Sequence, residues 1–92
     1  MSIEKIIKAL NSRTRRKILK ILSEGPKNVK EVFIVLKEQY STNIKYRESV
    51  FKALEKLVEA DLVEKFYEKG KGITYRLKRK KITIDLTKEV VE

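Results

Sequence analysis

The sequence predicts an α+β fold, mostly α, in which three or four helices precede a basic β-hairpin. Three observations predict it. Apolar residues recur at helical spacing from Ile3 to Val58. Beyond Leu62 the pattern turns strand-like, with Leu62, Val63, Phe66 and Tyr67 on one side of Gly70 and Gly72 and Ile73, Tyr75 and Leu77 on the other. The chain has 92 residues, which predicts a single domain, 1–92, with a small core.

Ile3, Ile6, Ile7 and Leu10 mark a short first helix. Asn11 and Ser12 interrupt it and offer an N-cap for a second helix, whose buried side is Ile18, Leu19, Ile21 and Leu22. Arg13, Arg15, Arg16 and Lys17 crowd the first turns of that helix. Cations there oppose the helix macrodipole, so local helix stability does not ask for them. Gly25 and Pro26 end the helix. Asn28 then caps a third helix, and Glu31 completes a capping-box pattern. Its core face is Val29, Val32, Phe33 and Leu36, extended by Tyr40, while Ile34 and Val35 fall off the stripe. A break at "YSTN" precedes a fourth helical stretch with an apolar stripe of Val50, Phe51, Leu54, Leu57 and Val58. The hairpin follows, with a loop longer than the tightest two-residue turns. After "KRKK", Ile82, Ile84 and Leu86 alternate as in another strand. This makes 78–92 a C-terminal strand or tail available for dimer contact.

Composition narrows the function. The chain lacks cysteine and histidine, which removes thiol chemistry, the usual general base and the common soft-metal ligands. No acidic cluster has the loop spacing of a hard-cation site, and neither a phosphate-binding P-loop nor a dinucleotide fingerprint is present. No catalytic, cofactor or metal site is predicted, and the chain does not read as an enzyme. No apolar run approaches the ~20 residues that span a bilayer. The opening "MSIEKIIKAL" has no signal-peptide core, so a cytoplasmic protein without membrane partners is expected.

The net charge of +10 points to a polyanion. A Lys- and Glu-rich composition also fits a thermophile's coat, so distribution matters more than the total. Lys65 to Lys81 carries eight Lys and Arg against one acid, and Arg13 to Lys20 carries five and none. Such clustering favours a binding surface.

Helices followed by a basic hairpin give the order of a winged helix-turn-helix. "ALNSRTRRKILKILSEGP" (Ala9 to Pro26) resembles the opening of ArsR-type winged-helix transcription regulators, A-L-x-x-x-T-R-R-x-I-L-x-x-L with a Gly-Pro soon after. "VFKALEKLVEADLVEKFYEKGKGITYRL" (Val50 to Leu77) resembles that family's recognition helix and wing. The resemblance covers roughly residues 3 to 77. A PadR-like arrangement shares the second phrase but fits the Thr14-Arg15-Arg16 opening less well. The chain departs from the ArsR pattern in a longer stretch between Leu36 and Val50, in lacking the cysteine and histidine of metal-sensing members, and in a strand-like tail.

The resemblance implies a sequence-specific, double-stranded-DNA-binding transcription regulator that works as a homodimer on near-palindromic sites. The fourth helix would enter the major groove with Lys45, Tyr46, Arg47, Ser49, Lys52 and Lys56. Glu48 would accept from a cytosine amino group or pair with Lys52. Arg47, toward the core side by helical phase, divides between DNA contact and covering the domain edge. The wing would follow the backbone or minor groove through Lys69, Lys71, Arg76, Lys78 and Arg79. Arg15 and Arg16 are further phosphate candidates, at least one of them structural by the family pattern. Two alternatives are an architectural protein that binds nucleic acid without sequence preference, and a winged helix used for protein interaction through Ile34, Val35 and the "ITIDL" strand.

Overall fold

The computed structural model describes residues 2–40 and 44–92. Four helices, α1 (Ile3–Leu10), α2 (Arg13–Leu22), α3 (Val29–Gln39) and α4 (Arg47–Glu59), combine with a small antiparallel sheet. The sheet has the order β1-β3-β2, where β1 is Lys27–Asn28, β2 is Val63–Glu68 and β3 is Gly72–Leu77. A separate ladder joins β4 (Ile84–Asp85) to β5 (Val90–Val91). The expected break at Ser41, Thr42 and Asn43 lies outside the described residues.

The core gathers one stripe from each helix: Ile6 and Ala9, Ile18 with Ile21 and Leu22, Val32 with Leu36, and Val50 with Ala53, Leu54 and Leu57. Val63 and Tyr75 close it from the sheet, and Val91 from the tail. The α4 stripe differs from the sequence expectation. Phe51 is 46% exposed and Ala53 takes a core position. The buried set 50, 53, 54 and 57 follows the i, i+3, i+4, i+7 rule, and Phe51 sits one step, about 100°, around the helix from it. On α3, Ile34 is exposed while Val35 packs against the core.

Local chemistry sets the helix starts. Ser12 accepts a hydrogen bond from the Arg15 backbone N–H at 3.2 Å. Asn28 and Glu31 form a reciprocal capping box, both bonds 2.9 Å. The cations at the start of α2 have a reason outside their own helix. Arg15 donates to the Ala9 and Lys8 carbonyls, both at 2.8 Å, and Arg16 donates to the Leu10 carbonyl. These are carbonyls of the last turn of α1, where the macrodipole is negative. An eight-residue helix is marginal alone, so this cap from the next helix matters. Arg15→Ala is expected to lower stability by about 1–2 kcal/mol, at or just below the low end of the range for hydrogen bonds involving a charged group, because these bonds are partly solvated. Amide exchange should quicken first in α1. Arg15→Lys should restore only part, because an ammonium lacks the guanidinium fork.

The hairpin turns through Lys69, Gly70 and Lys71, with φ of 85° at Gly70 and 83° at Gly72, a region that glycine enters without strain. After α4, Asp61 also adopts a positive φ, 64°. Its carboxylate receives Lys78 at 2.5 Å and Arg79 at 3.3 Å, which anchors the chain leaving β3 to the end of α4. The Lys78 bond, with Arg79 beside it, holds the Asp61 carboxyl below its ordinary range.

Candidate nucleic-acid interface

Opposite its buried stripe, α4 presents Glu48, Ser49, Lys52, Lys56 and Glu59 to solvent. Glu48 pairs with Lys52 at 3.5 Å, the i,i+4 arrangement that orients the lysine along the helix. Ser49, Lys52 and Lys56 border a surface groove of about 300 Å³ whose other wall is Ser12, Thr14 and Arg15 at the start of α2. The groove thus combines two lysines, hydroxyls and the positive end of a helix, a combination suited to an anion. Ser12 and Thr14 were not among the expected contacts. For Ser12 the signal in the sequence was the N-cap position itself; Thr14, the second residue of α2, had none.

Two expected recognition-helix residues stand before the helix. Lys45 and Tyr46 precede α4, which begins at Arg47, and Tyr46 is its N-cap in extended conformation (φ −128°, ψ 142°). Ile44 packs against the core just before them, which fits an extended approach to the helix. Both side chains are exposed, Tyr46 at 70%. Arg47 has the phase of the core stripe but lies on the first turn, and it is exposed rather than laid over the domain edge.

The wing cations are mostly engaged within the chain. Lys71 pairs with Glu31 at 3.0 Å and with Glu68 at 3.9 Å, and donates to the Pro26 carbonyl at 3.4 Å. Arg76 meets Glu64 at 2.6 Å and lies over the Phe66 ring, 4.7 Å from its centroid. Lys78 and Arg79 lie beyond β3 on Asp61, so they are not on the hairpin strands. Among the described residues Lys69, at the tip, is the expected wing cation with no ion pair. The sequence showed the clustering but not the carboxylates that the fold brings beside it. Arg15 and Arg16 are similarly committed to α1, which makes them structural in the first instance.

Helix and hairpin are joined by a half-buried relay. The Tyr75 hydroxyl on β3 donates to Glu55 Oε2 at 2.7 Å, and Lys65 Nζ on β2 donates to Glu55 Oε1 at 2.8 Å. Burial first, then the hydrogen bond to Glu55 and that group's negative charge, pushes the Tyr75 phenol above its ordinary range. The Lys65 bond, against burial and with help from Tyr75, holds the Glu55 carboxyl below its ordinary range. Burial raises Glu31, but the Asn28 N–H and Lys71 outweigh it and leave that carboxyl lowered as well.

Both glutamates therefore bind protons less readily in the folded chain. Their stabilisation is fully present above the unfolded value, near 4.5, and is lost as pH falls through the lower folded values. Thermal melts taken between about pH 6 and pH 3 should show Tm falling below about pH 4.5, with Glu55→Gln flattening part of the fall.

Among the described residues no helix is long and apolar enough to cross a membrane, and no group of acidic side chains is gathered to hold a metal ion. Neither a family model nor a curated protein matches the chain.

Proposed function

We propose that the chain is a winged helix-turn-helix domain of the ArsR type that binds double-stranded DNA at specific sequences to regulate transcription. The observation that carries this reading is the exposed face of α4, where Ser49, Lys52 and Lys56 border the groove beside the start of α2. A B-DNA major groove admits one helix, and the first half of such a helix reaches base edges. In this reading Ser49 and Lys52 face bases, while Arg47, exposed on the first turn at the phase of the core stripe, reaches the flanking strand. Lys56 and the amides opening α2 meet phosphate, and Lys69 at the hairpin tip meets the flanking backbone. Tyr46 and Lys45, on the approach to α4, lie within reach of the same strand. The paired cations Lys71, Arg76, Lys78 and Arg79 act chiefly to hold the hairpin in place.

The test is selection of random duplex DNA by the purified protein. The enriched sequence is then titrated against its scramble at several salt concentrations. Enrichment of one sequence, held more tightly than its scramble at every salt, is the expected result. A second reading, duplex binding without sequence preference, is favoured by one observation: lysines outnumber arginines on α4, and lysine is a point charge rather than a bidentate reader. Equal binding of all duplexes with a steep salt slope would establish it.

A further inference from the structure

We propose that the C-terminal β4–β5 hairpin docks in a basic groove on a second copy of this chain, each copy giving its hairpin to the other. The inference deepens the DNA-binding reading, because it supplies a two-fold axis for paired half-sites, but it is tested without DNA.

The hairpin is apolar and acidic in a chain of net charge +10. Leu86 is 82% exposed, Val90 43% and Ile84 37%. Asp85, Glu89 and Glu92 stand against a single Lys88. Its tip is a built turn. Asp85 Oδ1 accepts from the Thr87 N–H at 3.0 Å, the Thr87 hydroxyl at 2.7 Å and the Lys88 N–H at 3.0 Å. Leu86 is therefore displayed on an ordered loop that loses little freedom on docking. The ladder has two residues per strand, too few for stability without a packing partner. Val91 supplies one contact to the core, and the outer face has none.

The complementary surface is on the body of the domain. A groove of about 300 Å³ has Leu10, Leu19 and Leu77 in its floor and Lys20, Lys80 and Lys81 on its rim. Among the described residues none of these three lysines is in an ion pair. An apolar floor with an uncompensated cationic rim matches an apolar tip with acidic flanks.

The chain's own hairpin, residues 83–92, does not line this groove. Thr83 and Glu92 exchange backbone hydrogen bonds of 2.7 and 2.8 Å at the hairpin base, and Val91 is buried. These bonds and that burial tie the hairpin base to its own domain. A second copy has no such restraint. The groove's lining runs up to Ile82, next to the hairpin, so in the proposed dimer each copy gives and receives the same contact, the self-complementary arrangement of a two-fold pair.

Sedimentation equilibrium of the DNA-free protein tests this. The expected result is a concentration-dependent dimer whose dissociation constant rises roughly thirty-fold in Leu86→Glu, the effect of removing a central apolar anchor. Lys80→Glu with Lys81→Glu should weaken the dimer too, and Glu89→Lys added to that pair should restore part of the loss. Melting curves taken below the dimer's dissociation constant should overlay, since each site is exposed, and only at higher concentration should the parent melt above the variants. A monomer at every concentration would overturn the proposal. So would a dimer indifferent to Leu86 and the lysine pair, or one broken instead by Ile34→Asp on α3. Loss of the dimer contact with retained DNA selection would separate this inference from the DNA-binding reading.

Discussion

Tyr75→Ala is expected to remove about 3–5 kcal/mol of stability, a large part of the margin a small domain possesses. Tyr75 is the largest of the fully buried side chains, enclosed between the sheet and the helices. Its truncation leaves a cavity and also strands the Glu55 carboxylate, which keeps only Lys65. Tyr75→Phe separates the two effects. It preserves the packing and deletes the hydroxyl, with an expected loss of about 1.5–3 kcal/mol for a hydrogen bond to a charged acceptor. Urea denaturation measures both. An unchanged m-value would show that the native state, not the denatured ensemble, carries the difference. A Phe variant as stable as the parent would mean that Lys65 alone satisfies Glu55.

The second large effect concerns DNA. Lys56→Ala should weaken binding to all duplexes about equally and reduce the salt slope by about 0.9, the signature of one lost phosphate contact. Lys52→Ala should behave differently. If it faces a base, discrimination at one position of the site falls by about 1–3 kcal/mol while binding to scrambled DNA changes little. Titrations of the selected and scrambled duplexes at several salts distinguish the two. Identical, uniform losses for both lysines would favour binding without sequence preference. Neither substitution should change the melting curve appreciably, because both side chains are well exposed.

Periodic features were legible in the sequence. The stripes of α2 and α3, the Asn28–Glu31 capping box and the hairpin around Gly70 and Gly72 all follow from spacing and turn chemistry that act within a few residues. On α1, by contrast, Ile7 is 55% exposed and Ala9 is buried in its place. The short β1 strand was not legible, because two residues carry no period and only β3 defines them. The start of α4 was misread for a related reason: Ile44 answers to the core rather than to its neighbours. The candidate site was read through charge, and charge shows where cations cluster without showing what they meet. The partners of Arg76 and Lys78 lie 12 and 17 residues away, and that of Lys71 lies across the fold on α3. Arg15 and Arg16 looked misplaced by the rule for their own helix and make sense only beside the end of α1.

The ties on the hairpin have a mechanical meaning. Near its tip Lys71 is tied to Glu31 on α3, and the Asn28 side chain donates to the Lys71 carbonyl at 3.4 Å. At mid-length Tyr75 and Lys65 clasp Glu55 on α4, and at its base Lys78 and Arg79 clasp Asp61. Helix and hairpin thus form the two jaws of a caliper with a fixed gap. On the proposed reading, a fixed gap measures the distance from groove floor to flanking backbone, which differs between B-form and A-form duplexes. A protein built this way would gauge duplex geometry before any base is read, and a duplex of the wrong width would be refused by stiffness rather than by chemistry.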